Sequence, residues 1–208
     1  MILAVMLDRE GLLLAIIMGL LIYVFGSQNY LFLMLVFFIL AVLVTKYEHD
    51  AKRELGLYEH ERGWENVLSN GILPTLIIVF HPVAGLGAYI GALAAITADK
   101  FASELGVLSR HAFFLQNFKP IKPGKSGAVS TLGLFMSLAG ALLLGIGASF
   151  LFPITPFQVL IIGFMGFFGS MVDSLFGILE ERGLGTKGTT NFFCSLTGAA
   201  LGYFLIPT

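Results

Sequence analysis

The sequence predicts an all-α protein: a polytopic transmembrane helix bundle of about seven spans, a single integral membrane domain over 1–208, with its N-terminus in the cytoplasm. Three observations carry this. Hydrophobic residues make up 57% of the chain and charged residues only 12%, against roughly a quarter charged in a soluble domain. The apolar residues fall into runs near 11–25, 30–45, 67–80, 83–98, 128–151, 157–179 and 191–206, and in lipid such runs satisfy their backbone groups as helices. All twelve Lys and Arg residues lie outside these runs, in alternate connecting segments.

The first run follows Asp8, Arg9 and Glu10, which make a poor basic leader. No small-x-small cleavage site precedes the next run, so the first run is expected to be a retained helix rather than a signal peptide. Beyond the second run, Val44, Tyr47, Ala51, Leu55 and Tyr58 recur at helical spacing. The second helix is therefore expected to continue into the cytoplasm as far as Gly56, giving 1–60 the form of a helix pair with a cytoplasmic extension. The third and fourth runs, broken by His81-Pro82, are short against the roughly 20 residues of a straight crossing. They predict either two short tilted helices or one re-entrant hairpin. Segment 107–123 places Phe113, Phe114 and Phe118 among basic residues, the composition of a segment lying along lipid headgroups.

The basic residues orient the bundle. Segments 1–10, 46–66, 99–127 and 180–190 hold all twelve Lys and Arg residues, and the connections near 26–29, 81–82 and 152–156 hold none. The positive-inside rule puts the charged loops on the cytoplasmic side of the cell membrane. Acids are interspersed with these bases, for a net charge of −1, which argues against nucleic acid as a partner. The one cysteine, Cys194, excludes an intrachain disulfide framework and sits in an apolar run as inert core. The histidines show no metal-ligand spacing. No internal repeat is visible, which weighs against an inverted-repeat transporter.

Four features on the charged side could carry chemistry. Asp173 lies inside an apolar run, where an ionisable group is costly and is a functional candidate by default. Its neighbours Gly166, Gly169, Ser170, Ser174 and Gly177 are small, so a packing seam with a buried Asp is the structural alternative. Asp99 closes the fourth run and shares a helical face with Ser103 and Gly106; the alternative is a helix end meeting water. Gly124, Lys125, Ser126 and Gly127 open the fifth span. They lack the upstream glycine of a Walker A loop, yet a Gly-rich turn before a helix offers backbone N–H groups to phosphate; the alternative is a flexible loop. Asn70 and Asn191 stand near the starts of the third and seventh spans, where capping is the ordinary role.

Together these motifs resemble a membrane family that includes the phytyl-phosphate kinases of plant vitamin E biosynthesis. The resembling stretches are 62–71 (RGWENVLSNG), 91–106 (GALAAITADKFASELG), 123–133 (PGKSGAVSTLG), 166–177 (GFFGSMVDSLFG) and 190–198 (TNFFCSLTG), in the family's order. The Asp-x3-Ser-x2-Gly element is more distantly similar to dolichol kinase and CDP-diacylglycerol synthase. The chain departs from the usual family pattern in having Lys100 after the first Asp, Gly124-Lys125-Ser126-Gly127-Ala128 in the phosphate loop, and Glu65 before the first Asn.

The resemblance implies a family-like catalytic core over 61–208. It implies a kinase that uses CTP or another nucleoside triphosphate, with Mg²⁺, to convert a membrane prenyl monophosphate to the diphosphate. Asp99, Glu104 and Asp173 would be catalytic, with Asp99 and Asp173 holding the metal. Asn70, Gly124, Lys125, Ser126, Gly127 and Asn191 would bind the nucleotide and its cation. The rival expectations are a cytidylyltransferase that forms a CDP-lipid, a transporter that uses Asp173 as an ion or proton site, and a membrane scaffold indifferent to both aspartates.

Overall fold

The computed structural model describes residues 7–54 and 63–206. Eight helices and three short strands follow in the order α1 (Arg9–Phe25), α2 (Gln28–Lys46), α3 (His49–Glu54), α4 (Trp64–Val79), α5 (His81–Gly106), β1 (Ala112–Phe114), β2 (Pro120–Ile121), β3 (Ala128–Val129), α6 (Thr131–Leu151), α7 (Pro156–Glu181) and α8 (Lys187–Leu205). Apart from α3, the helices overlay the seven apolar runs. Three of them, α2, α6 and α7, are long and apolar enough to cross a membrane by length and composition alone.

Helix α5 is the axis of the bundle. Residues 87–101 are buried on every side, and α2, α4, α6, α7 and α8 all pack on it. A helix without a polar face belongs in the middle of a protein. Small residues permit the crowding. Gly87 and Gly91 of α5 meet Gly202 and Gly198 of α8 backbone to backbone: a Cβ on Gly91 would strike the Gly198 carbonyl, and one on Gly198 would strike the Gly91 carbonyl. Toward α7, a Cβ on Gly166 would lie 2.7 Å from the Ala94 carbonyl oxygen. Close approach at Gly-x3-Gly spacing is how helices gain packing contact where lipid removes the hydrophobic drive.

The small residues of α7 therefore do form a packing seam, and Asp173 lies in it. Both expectations for this helix describe the same residues.

At the far end of the bundle the chain turns sharply between α4 and α5. Phe80 caps α4 and opens α5, and Gly85 adopts φ 73° and ψ 168°, a left-handed value that bends the start of α5. The two runs around His81-Pro82 are thus distinct helices. The Tyr30 hydroxyl and His81 Nε2 are hydrogen-bonded. Tyr89 donates to the Tyr30 carbonyl over 2.8 Å, and Phe152 packs edge-on against Tyr30.

One local expectation fails. Helix α2 does not run on toward Gly56: it ends at Lys46, Glu48 takes φ 50°, and a separate short helix follows. The cause is Lys52, whose ammonium folds back to donate to the Val44 carbonyl (2.8 Å) and the Thr45 carbonyl (3.2 Å) and so caps the end of α2. Leu55, Gly56 and Tyr58 of the expected extension lie outside the described residues, as does Arg62.

Segment 107–123 is not helical. It supplies β1 and β2 of a three-stranded antiparallel sheet in the order β2-β1-β3, with Phe113 opposite both Pro120 and Val129. Helix α6 begins only after β3, at Thr131, with Ser130 as its N-cap; the Ser130 hydroxyl accepts from Gly133 N and donates to the Gly106 carbonyl (3.0 Å).

Candidate functional site

At the charged end, α5, α6 and α7 part around a cavity of about 740 Å³, bounded at its mouth by β1, β3 and the turn before β3. Helix α5 continues unbroken to Gly106, so Asp99 and Ser103 both reach this wall. Asp99 and Asp173, from neighbouring helices, are both buried and line this same cavity. Two like charges in one buried wall repel where water is scarce, and the neighbouring Lys187 and Lys100 offset them. Lys187 Nζ sits 2.8 Å from Asp173 Oδ2. The other oxygen, Asp173 Oδ1, is buried without a hydrogen-bond partner.

The Gly124–Gly127 turn closes over α7. Gly124 and Gly127 have φ 91° and 74°, conformations that side chains rarely adopt. A Cβ on Gly177, one helical turn beyond Asp173, would lie 2.6 Å from Gly127 N, so the turn rests directly on the helix. Lys125 and Ser126 line the cavity, with Lys125 exposed at its mouth.

Glu104 also lines the cavity, held there by two other residues of its wall. It accepts from Lys52 Nζ at 3.0 Å and from the Thr45 hydroxyl at 2.9 Å, which ties α2 and α3 to α5. Asn70 and Asn191 do not line the cavity. Asn70 donates its amide N–H groups to the Asn66 carbonyl (2.7 Å) and Asn66 Oδ1 (3.0 Å), Asn191 donates to the Ser69 hydroxyl (3.3 Å) and so ties α8 to α4, and both amide oxygens are buried without partners. Neither is a cap: the N-cap of α4 is Gly63, and that of α8 is Thr186 in a capping box with Thr189.

Among the residues that join the cavity wall and that sequence reasoning did not assign to a site are Lys52, Lys100, Ser137, Glu180 and Lys187. Glu180 was legible, since it stands seven residues after Asp173 and shares its helix face. Ser137 was not, because one serine in an apolar helix ordinarily bonds its own backbone, as Thr45, Thr75 and Thr97 do here. The Ser137 hydroxyl instead remains unpartnered.

The donor set suits a hard divalent cation in part. Two carboxylates, one with an unpartnered oxygen, match Mg²⁺, which takes one or two protein carboxylates and completes its shell with water and phosphate oxygens. Among the described residues no three His, Cys, Asp or Glu side chains converge as a self-sufficient metal cage.

Comparison with known proteins follows the same lines. The profile of the integral membrane protein family DUF92 matches residues 1–194. An uncharacterized membrane protein of Methanocaldococcus jannaschii is 34% identical over 208 residues, covering 97% of this chain and 87% of its own length. Protein PGR of Arabidopsis thaliana is 30% identical over 205 residues, covering 82% of this chain and 68% of its own length. No solved structure matches the chain. With its bundle built around α5 and most of its length matched, the chain belongs to the DUF92 family of integral membrane proteins.

Proposed function

We propose that the protein is a nucleotide-dependent kinase, using CTP or a related triphosphate, that converts a membrane prenyl monophosphate to the diphosphate at the cytoplasmic face. The observation that carries this reading is the placement of Asp99, Asp173 and the Gly124–Gly127 turn in one cavity at the charged end of an otherwise apolar bundle. The resemblance of the same stretches to phytyl-phosphate kinases points the same way.

Phosphoryl transfer asks a protein for positioning and charge neutralisation more than for covalent chemistry. An oxygen of the prenyl phosphate attacks the terminal phosphorus of the nucleotide, the bond from that phosphorus to the bridging oxygen breaks, and the nucleoside diphosphate leaves. Asp99 and Asp173 would hold Mg²⁺, which when bound neutralises charge on the phosphate oxygens. The backbone of the Gly124–Gly127 turn and Lys125 take the nucleotide phosphates. Lys187 keeps the carboxylate pair from repelling. Asn70, Asn191 and Glu104 hold the surrounding helices in place.

The test is incubation of the purified protein in detergent with prenyl phosphates, Mg²⁺ and each nucleoside triphosphate, followed by mass spectrometry of the lipid. A lipid heavier by one phosphate supports the kinase. A lipid carrying a nucleoside monophosphate makes the protein a cytidylyltransferase instead. Asp173→Asn, which keeps volume and removes charge, should abolish turnover in a folded protein; full activity in that variant removes Asp173 from the reaction.

A further inference from the structure

The kinase reading leaves one acid of the cavity without a task. Glu180 and Asp173 both line the cavity from α7. Seven residues separate them, which is two turns, so they project from the same side of the helix about 10.5 Å apart along its axis. Gly177 lies between them, and the Gly124–Gly127 turn rests on it. The order along α7 is therefore carboxylate pair, Gly-rich turn, Glu180. That order matches the parts of a nucleotide in sequence: terminal phosphate, phosphate chain, nucleoside.

Glu180 Oε2 is buried and has no hydrogen-bond partner. An ionised carboxylate only accepts hydrogen bonds. Two of the cavity's cations are already engaged, Lys187 by Asp173 and Lys52 by Glu104. A phosphate cannot satisfy Glu180, because two anions repel. What remains on a nucleotide is its neutral donors, which belong to the nucleoside.

We propose that Glu180 accepts hydrogen bonds from the nucleoside end of the nucleotide, through its ribose hydroxyls or the exocyclic amine of its base, so that the nucleotide lies along α7 with its terminal phosphate at Asp99 and Asp173. This rests on the nucleotide-dependent reading above and adds the direction in which the nucleotide binds and the residue that distinguishes it from bare polyphosphate.

The test is direct binding to the purified protein in detergent with Mg²⁺, by calorimetry, without prenyl phosphate. The probes are CTP, 2′,3′-dideoxy-CTP, UTP and inorganic tripolyphosphate, against the native protein and Glu180→Gln. The native protein should bind CTP more tightly than tripolyphosphate. Glu180→Gln should weaken CTP by about tenfold to a hundredfold, the range for a hydrogen bond to a charged group, and leave tripolyphosphate unchanged. Unchanged tripolyphosphate binding also shows that the variant is folded.

An equal loss with dideoxy-CTP on the native protein assigns the donor to the ribose. An equal loss with UTP, which carries a carbonyl in place of the amine, assigns it to the base. Glu180→Gln weakening both CTP and tripolyphosphate alike, or neither, overturns the inference and leaves the kinase reading standing. Failure of the native protein to bind either compound overturns both.

Discussion

Lys52 is the residue whose replacement tests the packing argument most sharply. Its side chain is 1% exposed, and its ammonium meets the Val44 carbonyl, the Thr45 carbonyl and Glu104 at 2.8, 3.2 and 3.0 Å. An ammonium has three donors, so all three are used. Lys52→Met keeps the stem and removes the charge. It strips the end of α2 of its cation and takes the Lys52 ammonium away from Glu104. Removing one partner of a buried pair costs about 3–5 kcal/mol. Glu104 is 20% exposed and keeps the Thr45 hydroxyl, which places the expected loss near the lower end, about 3 kcal/mol. The assay is equilibrium unfolding in mixed detergent micelles for Lys52→Met, Glu104→Gln and the double variant. Because the partners touch, the double variant should lose less than the two single losses added together. Native stability in Lys52→Met, or simple additivity in the double variant, would refute the account of why α2 stops at Lys46.

Three further expectations follow from the same geometry. Lys125→Ala should weaken nucleotide binding by about tenfold to a hundredfold and spare prenyl phosphate binding, with Lys125→Arg only a partial rescue because a broad guanidinium replaces a compact ammonium; titration of each ligand separately decides it. Gly91→Val should destabilise the fold by more than the roughly 1–3 kcal/mol of ordinary overpacking, since the obstacle is the Gly198 backbone rather than a side chain that can turn away, and unfolding in detergent reads it. Cysteine placed at Arg110 or Lys119, both exposed on the charged end, should label only from the cytoplasm, and labelling from outside would reverse the orientation.

The helices were legible because the apolar runs are separated by segments carrying charge, glycine or proline. Asp99, Asp173 and the Gly124–Gly127 turn were legible as candidates because charge and backbone N–H groups are conspicuous beside apolar sequence. What the sequence concealed was short or mutual. The sheet is made of strands of two or three residues, too brief for alternation to show. The stop at Lys46 depends on a lysine reaching back from the following turn, and helical spacing from Val44 through Tyr58 gives no sign of it. Lys187 was visible as a charge for orientation, but its reach to Asp173 requires knowing that α7 and α8 pack side by side.

The enclosure of α5 has a consequence for how the protein is made. Because α5 is sheathed by other helices, its wall is rich in Gly and Ala, side chains that gain little from contact with lipid. It also carries Asp99 and Lys100 at its charged end, which a bilayer resists. Such a segment is a poor passenger on its own: it enters the bilayer stably only in company, when α6, α7 and α8 have been synthesised and can shield it. Insertion and tertiary assembly are then one event for this helix, and a truncation after α5 should leave it outside the membrane or marked for degradation.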